Sequence, residues 1–229
     1  MRVNVAFTPA EAAEAPTGIV VDVLRATSTI VQALTSGYRR VLSCAEVEEA
    51  RALRESEGEG VLAGERLCVK VPGFDFGNSP REFLSASGDT LILSTTNGTR
   101  ALVTAASRCD RVLAGSLLNL EAVVRAAQKE GEDVAIFCAG VEGEFALDDA
   151  YCAGRIVALL DGDSTDAADA AVRLANSFPD AEAGLRASQS ARNLEEAGLD
   201  EDIRWCARES VLETVPRFVG MRGHAAEIA

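Results

Sequence analysis

A chain of 229 residues with 48% hydrophobic and 25% charged residues has an ordinary globular composition, enough for one large core or two modest lobes. Its net charge of −14 argues against nucleic-acid and membrane-surface binding; an anionic small molecule would need local Arg or Lys, or a bound cation. The six cysteines are scattered without Cys-x-x-Cys spacing, so they are expected reduced; with no apolar leader and no run of membrane-spanning length, the expectation is a soluble, cytoplasmic protein.

In chain order, Val3–Phe7 alternates as a first strand should. Gly18–Leu24 is nearly all apolar and β-branched, which suits a central strand buried on both faces. A helix is expected from about Thr27 to Ser36, closed by Gly37. Arg40–Cys44 reads as a strand, Ala45–Ser56 as a charged amphipathic helix and Val61–Ala63 as a short strand. Gly64–Asn78 is dense in Gly, Pro and charge without periodicity, as in a functional or mobile loop. Ser79-Pro80 has the form of an N-cap and first helical residue, with the helix running to about Ala86. The apolar run Leu91–Leu93 breaks into Ser94–Arg100, and helical spacing follows from Thr99.

Farther on, Arg111–Gly115 reads as a strand and Asn119 as the cap of a helix through Gln128. Asp133–Ala139 is a buried strand, Gly140–Ala146 a polar loop and Leu147–Leu160 a helix. From Asp161 the chain turns acidic and helix-rich, with helices over Thr165–Phe178, Pro179–Ser188, Ala191–Ala197 and Glu201–Glu209, then a tail expected to fray. Alternating strands and helices point to an α/β protein, three-layer α/β/α about a mainly parallel or mixed central sheet. Residues 1–160 would carry the site loops, and 161–229 would pack on them as a helical segment of one compact unit.

The chemistry gathers where apolar strands stop. Thr95-Thr96-Asn97-Gly98-Thr99-Arg100 follows a strand and opens a helix, the outline of an anion site. Orphan N–H groups, hydroxyls, a Gly turn and a guanidinium all point at one place. The same residues also suit a plain turn with Thr99 as N-cap. Asp22–Ser28, Gly64-Glu65-Arg66 and Gly140–Asp149 likewise follow strands, and in open α/β sheets ligands collect at the carboxyl ends of strands. No phosphate-binding P-loop, Gly-x-Gly-x-x-Gly or Gly-x-Ser-x-Gly is present. Asp22 ends a strand as a phosphoaspartate nucleophile does, but the haloacid-dehalogenase pattern wants a second Asp where Leu24 stands.

The only histidine, His224, lies in the tail and reads as surface, which leaves proton transfer to carboxylates, a metal-bound water, or Cys, Tyr and Lys. Carboxylates, hydroxyls and Asn without His suit Mg²⁺ rather than zinc. Asp22 and Glu65 are the candidate metal ligands, Asp22 being equally placed to cap a helix or pair with Arg25. Glu142 and Glu144 read as solvated, Asp148 and Asp149 as complements to a helix dipole, and Cys138 and Cys152 as core.

Val21–Ser28, Gly64–Arg66, Pro72–Pro80, Thr95–Arg100 and Cys138–Gly140 with Asp148-Asp149 together resemble the 2-phosphosulfolactate phosphatase family. The resemblance extends in order through Leu118-Asn119, Cys152–Gly154, Asp202-Ile203, Cys206 and Val215-Pro216. It implies a Mg²⁺-dependent acid phosphatase of α/β/α architecture that converts phosphosulfolactate to sulfolactate on the route to coenzyme M. Carried onto matching positions, Asp22 and Glu65 become acidic site residues. Arg25, Asn78, Ser79, Thr95, Thr96, Asn97, Gly98, Thr99 and Arg100 hold the anionic substrate. Two departures stand out: Leu67-Cys68 where the family pattern continues with glycines, and Ser190-Ala191 where a His-Gly pair is expected. A symmetric homodimer is the expected assembly.

Overall fold

The computed structural model describes residues 1–229. The chain begins with β1 (Arg2–Ala6), β2 (Thr17–Val21), α1 (Ala26–Thr35), β3 (Arg40–Cys44), α2 (Val47–Glu57), β4 (Val61–Arg66) and β5 (Val69–Lys70). After a 3₁₀ turn at Pro80–Glu82 come β6 (Thr90–Ser94), α3 (Thr96–Ala106), β7 (Arg111–Gly115), α4 (Leu120–Glu130), β8 (Val134–Cys138) and α5 (Leu147–Leu159). The last third holds β9 (Asp163–Ser164), α6 (Asp166–Asn176), α7 (Ala181–Arg186), α8 (Gln189–Glu196), α9 (Asp200–Cys206), β10 (Phe218–Arg222) and β11 (Ala225–Ile228).

The α/β class is as expected, but the strands divide between two sheets rather than forming one. The first is wholly parallel, in the order β7-β2-β8-β1-β9, with Ile19 opposite both Leu113 and Ile136. The second runs β10-β11-β3-β6-β4-β5 and is mixed: β3, β6 and β4 are parallel, while β5, β11 and β10 are antiparallel additions. Helix α1 carries the chain from β2 in the first sheet to β3 in the second, and α3 carries it back from β6 to β7.

These two crossover helices lie between the sheets. Ile30 and Ala33 of α1 and Ala101, Leu102 and Ala105 of α3 share one core with Val20 and Phe137 of the first sheet and Leu91 and Leu93 of the second. The other face of the first sheet (Ile19, Val21, Ile136) is covered by α4 to α9 through residues such as Val123, Ile156, Ala171 and Leu194. The other face of the second sheet (Leu42, Leu62, Ile92) is covered by Ala50 and Leu53 of α2 and by Phe74. The central strands β2, β6 and β8 therefore bury both sets of alternate side chains, which explains their near-continuous apolar runs.

Three local expectations are corrected. The tail does not fray: β10 and β11 form a hairpin, and β11 pairs antiparallel with β3, Ala226 opposite Ser43. Ahead of that hairpin the Ala114 amide donates to Pro216 at 2.9 Å, so the segment also ties down the edge of the first sheet. The helix expected from Ser79 to Ala86 is a single 3₁₀ turn, closed by a capping box between Ser79 and Glu82. The loop expected over Gly64–Asn78 is largely ordered backbone. Val69 and Lys70 form β5, and 74–77 runs back along β4, with Phe76 N donating to Leu62 O and Gly64 N to Gly77 O.

The helical cover is fitted closely to the first sheet. A Cβ on Gly154 of α5 would lie 2.1 Å from the Ala171 carbonyl oxygen and 2.9 Å from Ala175 Cβ, so α5 and α6 touch backbone to backbone. Gly154→Ala is expected to destabilise the fold by about 2 kcal/mol or more, because the obstacle is backbone and cannot rotate away. Urea unfolding, with the midpoint lowered and the slope unchanged, is the measurement that checks it.

Candidate active site

The carboxyl ends of β2 and β8 in one sheet and β4 and β6 in the other open onto one cavity of about 400 Å³. It is lined by Asp22 and Arg25 after β2, Glu65 at the end of β4, Thr95, Thr96, Asn97 and Arg100 after β6, and Glu142 after β8. Asn78 completes the wall, its backbone carbonyl held by Thr29 Oγ1 at 3.0 Å. Of the residues singled out in the sequence, the structure thus brings together Asp22, Arg25, Glu65, Asn78, Thr95, Thr96, Asn97 and Arg100.

Asp22 is where the two crossover helices meet. Its Oδ1 accepts from the Ala26 amide at 3.2 Å and its carbonyl from the Thr27 amide at 2.9 Å, capping α1. On the other side, a Cβ at Gly98 would lie 2.9 Å from Asp22 Oδ2 and 2.7 Å from Ala26 Cβ. Only glycine lets the first turn of α3 come this close. The carboxylate therefore sits beside two helix N-termini, whose dipoles favour negative charge. Thr95 is the N-cap residue of α3 but its side chain makes no capping bond, which leaves the hydroxyl and the first-turn N–H groups for a ligand.

Gly98, Thr99 and Ser79 do not line the cavity. Gly98 is a spacer. Thr99 is buried and shares a 2.8 Å hydrogen bond with Ser43, joining α3 to β3. Ser79 Oγ donates to Asp202 Oδ1 at 2.6 Å. Asp202, on α9, also pairs with the Arg25 guanidinium at 2.7 Å, with side-chain exposures of 0% and 3%. That carboxylate was not among the residues picked from sequence as site residues. It stands in a run of three acids, Asp200-Glu201-Asp202, whose evident local role is to complement the dipole of α9.

Glu65 accepts from the Cys68 amide at 2.7 Å, across a tight turn in which Leu67 and Cys68 have φ of 52° and 65°. This is the left-handed region that glycine adopts freely and branched or bulky residues do not. Arg66 is occupied by the carbonyls of Glu65 and Ala45 and by Ser94 Oγ. Asp148 and Asp149 do more than complement a dipole. Asp149 accepts from the Val23 amide at 3.0 Å and the Gly140 amide at 2.9 Å, bracing the loops after β2 and β8, and Asp148 accepts from Ser190 Oγ at 3.0 Å. Glu144 lies outside the cavity wall.

A second hollow, wider at about 950 Å³, shares Asn97 and Arg100 with the first but is bordered by Glu46, Glu48 and Glu49. That acidic border is offset by Arg100 alone among arginines, whereas the smaller cavity sets Arg25, Arg66 and Arg100 beside its carboxylates. His224 is exposed and lines the wider hollow only.

Burial pushes the Asp22 carboxyl up to about 7, with the neighbouring Asp148 and Glu65 charges adding to it and the Ala26 amide and Arg25 opposing it. Burial pushes Asp148 up to about 6 against its hydrogen bonds to Ser190 and Ser188. It holds Asp149 well above the carboxylate range, aided by the Asp148 and Asp22 charges. The Cys138 and Cys152 thiols are driven well up by burial, which removes them as nucleophiles. All six cysteines are free.

No three His, Cys, Asp or Glu side chains are gathered at metal-ligand range, so the protein offers no closed shell of the zinc kind. Mg²⁺ needs less: one or two carboxylates, with waters and phosphate oxygens in the remaining positions. Asp22 and Glu65, carboxylates on one cavity wall with the Glu65 charge among those that raise the Asp22 carboxyl, fit that demand.

A family model described as 2-phosphosulpholactate phosphatase matches residues 5–220. Similar proteins include a probable 2-phosphosulfolactate phosphatase of Thermotoga petrophila, 41% identical over 95% of both chains. A probable 2-phosphosulfolactate phosphatase of Thermus thermophilus is 39% identical over 98% of both chains. One from Clostridium acetobutylicum is 38% identical over 88% of this chain and 89% of its own.

The raised carboxyls make stability depend on pH in a definite direction. Between the unfolded value of 3.8 and about 6 to 7, the folded protein keeps protons at Asp148 and Asp22 that the unfolded chain releases. Their contribution is complete below pH 4 and is lost as pH rises through about 6 to 7. In buffer free of divalent cations, the melting temperature is expected to fall between pH 5.5 and pH 7.5. Asp22→Asn should shrink that difference in a calorimetric scan; a difference unchanged by the substitution would assign the dependence elsewhere.

Proposed function

Because the chain belongs to the 2-phosphosulfolactate phosphatase family, we propose that it is a phosphoric monoester hydrolase that converts 2-phosphosulfolactate to sulfolactate and phosphate. One observation carries this reading: a buried carboxylate, Asp22, set between two helix N-termini in a cavity that also holds Arg25 and Arg100. A phosphoryl group has the charge and size for that position. The first-turn N–H groups of α3 and the hydroxyls of Thr95 and Thr96 are placed to bind its equatorial oxygens as charge develops. Arg25 faces the phosphoryl group as well, and Arg100 takes the remaining anionic ends of the substrate, carboxylate and sulfonate. Lys70 is not part of this clamp, since its ammonium reaches toward the Asp75 carbonyl outside the cavity.

Mg²⁺ is the proposed cofactor, held by Asp22 and Glu65, and when bound it supplies neutralisation of phosphoryl charge. The protein's own part is positional. Asp22 Oδ1 is committed to capping α1, so Oδ2 is the oxygen that faces the reaction. Direct attack by a water oriented on a carboxylate is favoured over a phosphoenzyme, because burial raises the one thiol on the wall, Cys68, away from the thiolate and no histidine lines the cavity. Cytoplasmic location, a place on the route to coenzyme M and a homodimer complete the proposal; no helix is long and apolar enough to cross a membrane.

A second reading has its own support. Leu67, Cys68 and Ser190, where the sequence departs from the family pattern, all lie on the cavity wall. Departures concentrated there favour hydrolysis of a different small phosphorylated acid by the same machinery. Phosphate release from a panel of such acids, with Mg²⁺ and with excess chelator, decides between them. Metal-dependent release confined to phosphosulfolactate supports the first reading, and release from others only supports the second.

On the substrate that is turned over, Asp22→Asn is expected to lower kcat by about a hundredfold or more, and Arg100→Ala to raise KM about tenfold. Turnover left intact by both substitutions would remove this cavity as the catalytic centre.

A further inference from the structure

We propose that Asp202 is a positioning residue that aims Arg25 at the phosphoryl group, an inference that rests on the phosphatase reading and deepens it. Arg25 is almost wholly enclosed, yet only one of its nitrogens, Nη1, finds a protein acceptor, and that acceptor is Asp202 Oδ2. The other donors of the guanidinium belong to a side chain on the cavity wall. A planar guanidinium pinned at one corner has its opposite edge fixed in direction, and that edge has the fork geometry that matches two phosphoryl oxygens.

Asp202 is itself immobilised. Its Oδ1 accepts from Ser79 Oγ at 2.6 Å, and the Arg81 guanidinium stands 3.9 Å away. Ser79 belongs to the segment that also places Asn78 on the cavity wall, so α9, the Ser79 turn and the start of α1 are locked through one carboxylate. Taking two charges out of water is costly, and the pair is better suited to fixing a direction than to adding stability. Asp202 does not itself line the cavity, and Arg25 is the one wall residue its carboxylate holds directly, so its effect on catalysis is expected to run through that guanidinium.

The test is a double-mutant cycle on the full-length chain: wild type, Arg25→Ala, Asp202→Asn and the double variant. It is read as kcat/KM on phosphosulfolactate and as the affinity for inorganic phosphate by calorimetry. Asp202→Asn is expected to lower kcat/KM by roughly thirtyfold and phosphate affinity by roughly tenfold when Arg25 is present, and neither by more than about twofold once Arg25 is gone. Equal losses in both backgrounds would overturn the proposal, because a merely structural role does not need Arg25. Ser79→Ala loosens the same carboxylate without unpairing a buried charge, and carries the cycle if Asp202→Asn does not fold. Its loss of about three- to tenfold should likewise vanish without Arg25. A wild-type protein that releases no phosphate yet shows the non-additive affinity cycle would sink the phosphatase reading and keep the positioning role. Turnover with additive cycles would do the reverse.

Discussion

The close approach of α1 and α3 at Asp22 is the constraint from which the rest of the structure follows. Both helices are crossovers between sheets, and both begin at the carboxyl end of a buried parallel strand. For their first turns to share one carboxylate, Gly98 must present bare backbone to it and Ala26 must be small. That contact sets the spacing between the sheets, and the spacing sets the cavity. The two layers of strands are thus held apart by atoms that also form part of the cavity wall, so packing and cavity shape are not separable at this point.

A charge so enclosed is unfavourable on its own, and the raised carboxyl of Asp22 records that cost. The surroundings divide the labour of reducing it. Backbone amides, helix dipoles and Arg25 act on the carboxylate itself, against the Asp148 and Glu65 charges that raise its energy, and Asp149 braces the neighbouring loops. The cavity thus sets carboxylates beside three arginines, Arg25, Arg66 and Arg100, so both signs of charge meet on one wall.

Much of this was legible in the sequence. The run Leu91–Leu93 into Thr95–Arg100 announces a strand, a turn and a helix N-terminus. The convergence of Asp22, Glu65 and Arg100 follows from the rule that strand ends gather ligands. The division into two sheets was missed because β2 and β6 are equally apolar, and periodicity carries no label for which sheet a strand joins. A signal did exist. Residues 26–33 contain no charge and are all buried in α1, and a helix with no charged face belongs between layers rather than on the outside. The tail was misjudged because Ala225-Ala226-Glu227-Ile228 has weak strand propensity, and its pairing with β3 is a tertiary effect. Asp202 was invisible as a site residue for a related reason, since its partner Arg25 lies 177 positions away.

The pairing of β11 with β3 has a consequence for how the protein is made. Leu42 is made about 185 residues before its partner Glu227. At roughly 5–20 residues per second, a ribosome leaves that edge of β3 bare for on the order of ten to forty seconds. For that interval the strand is open to pairing with other nascent chains, as any unprotected edge is. β11 therefore acts as a late-arriving cover for that edge, and growth conditions that slow translation lengthen the period during which the edge stands open.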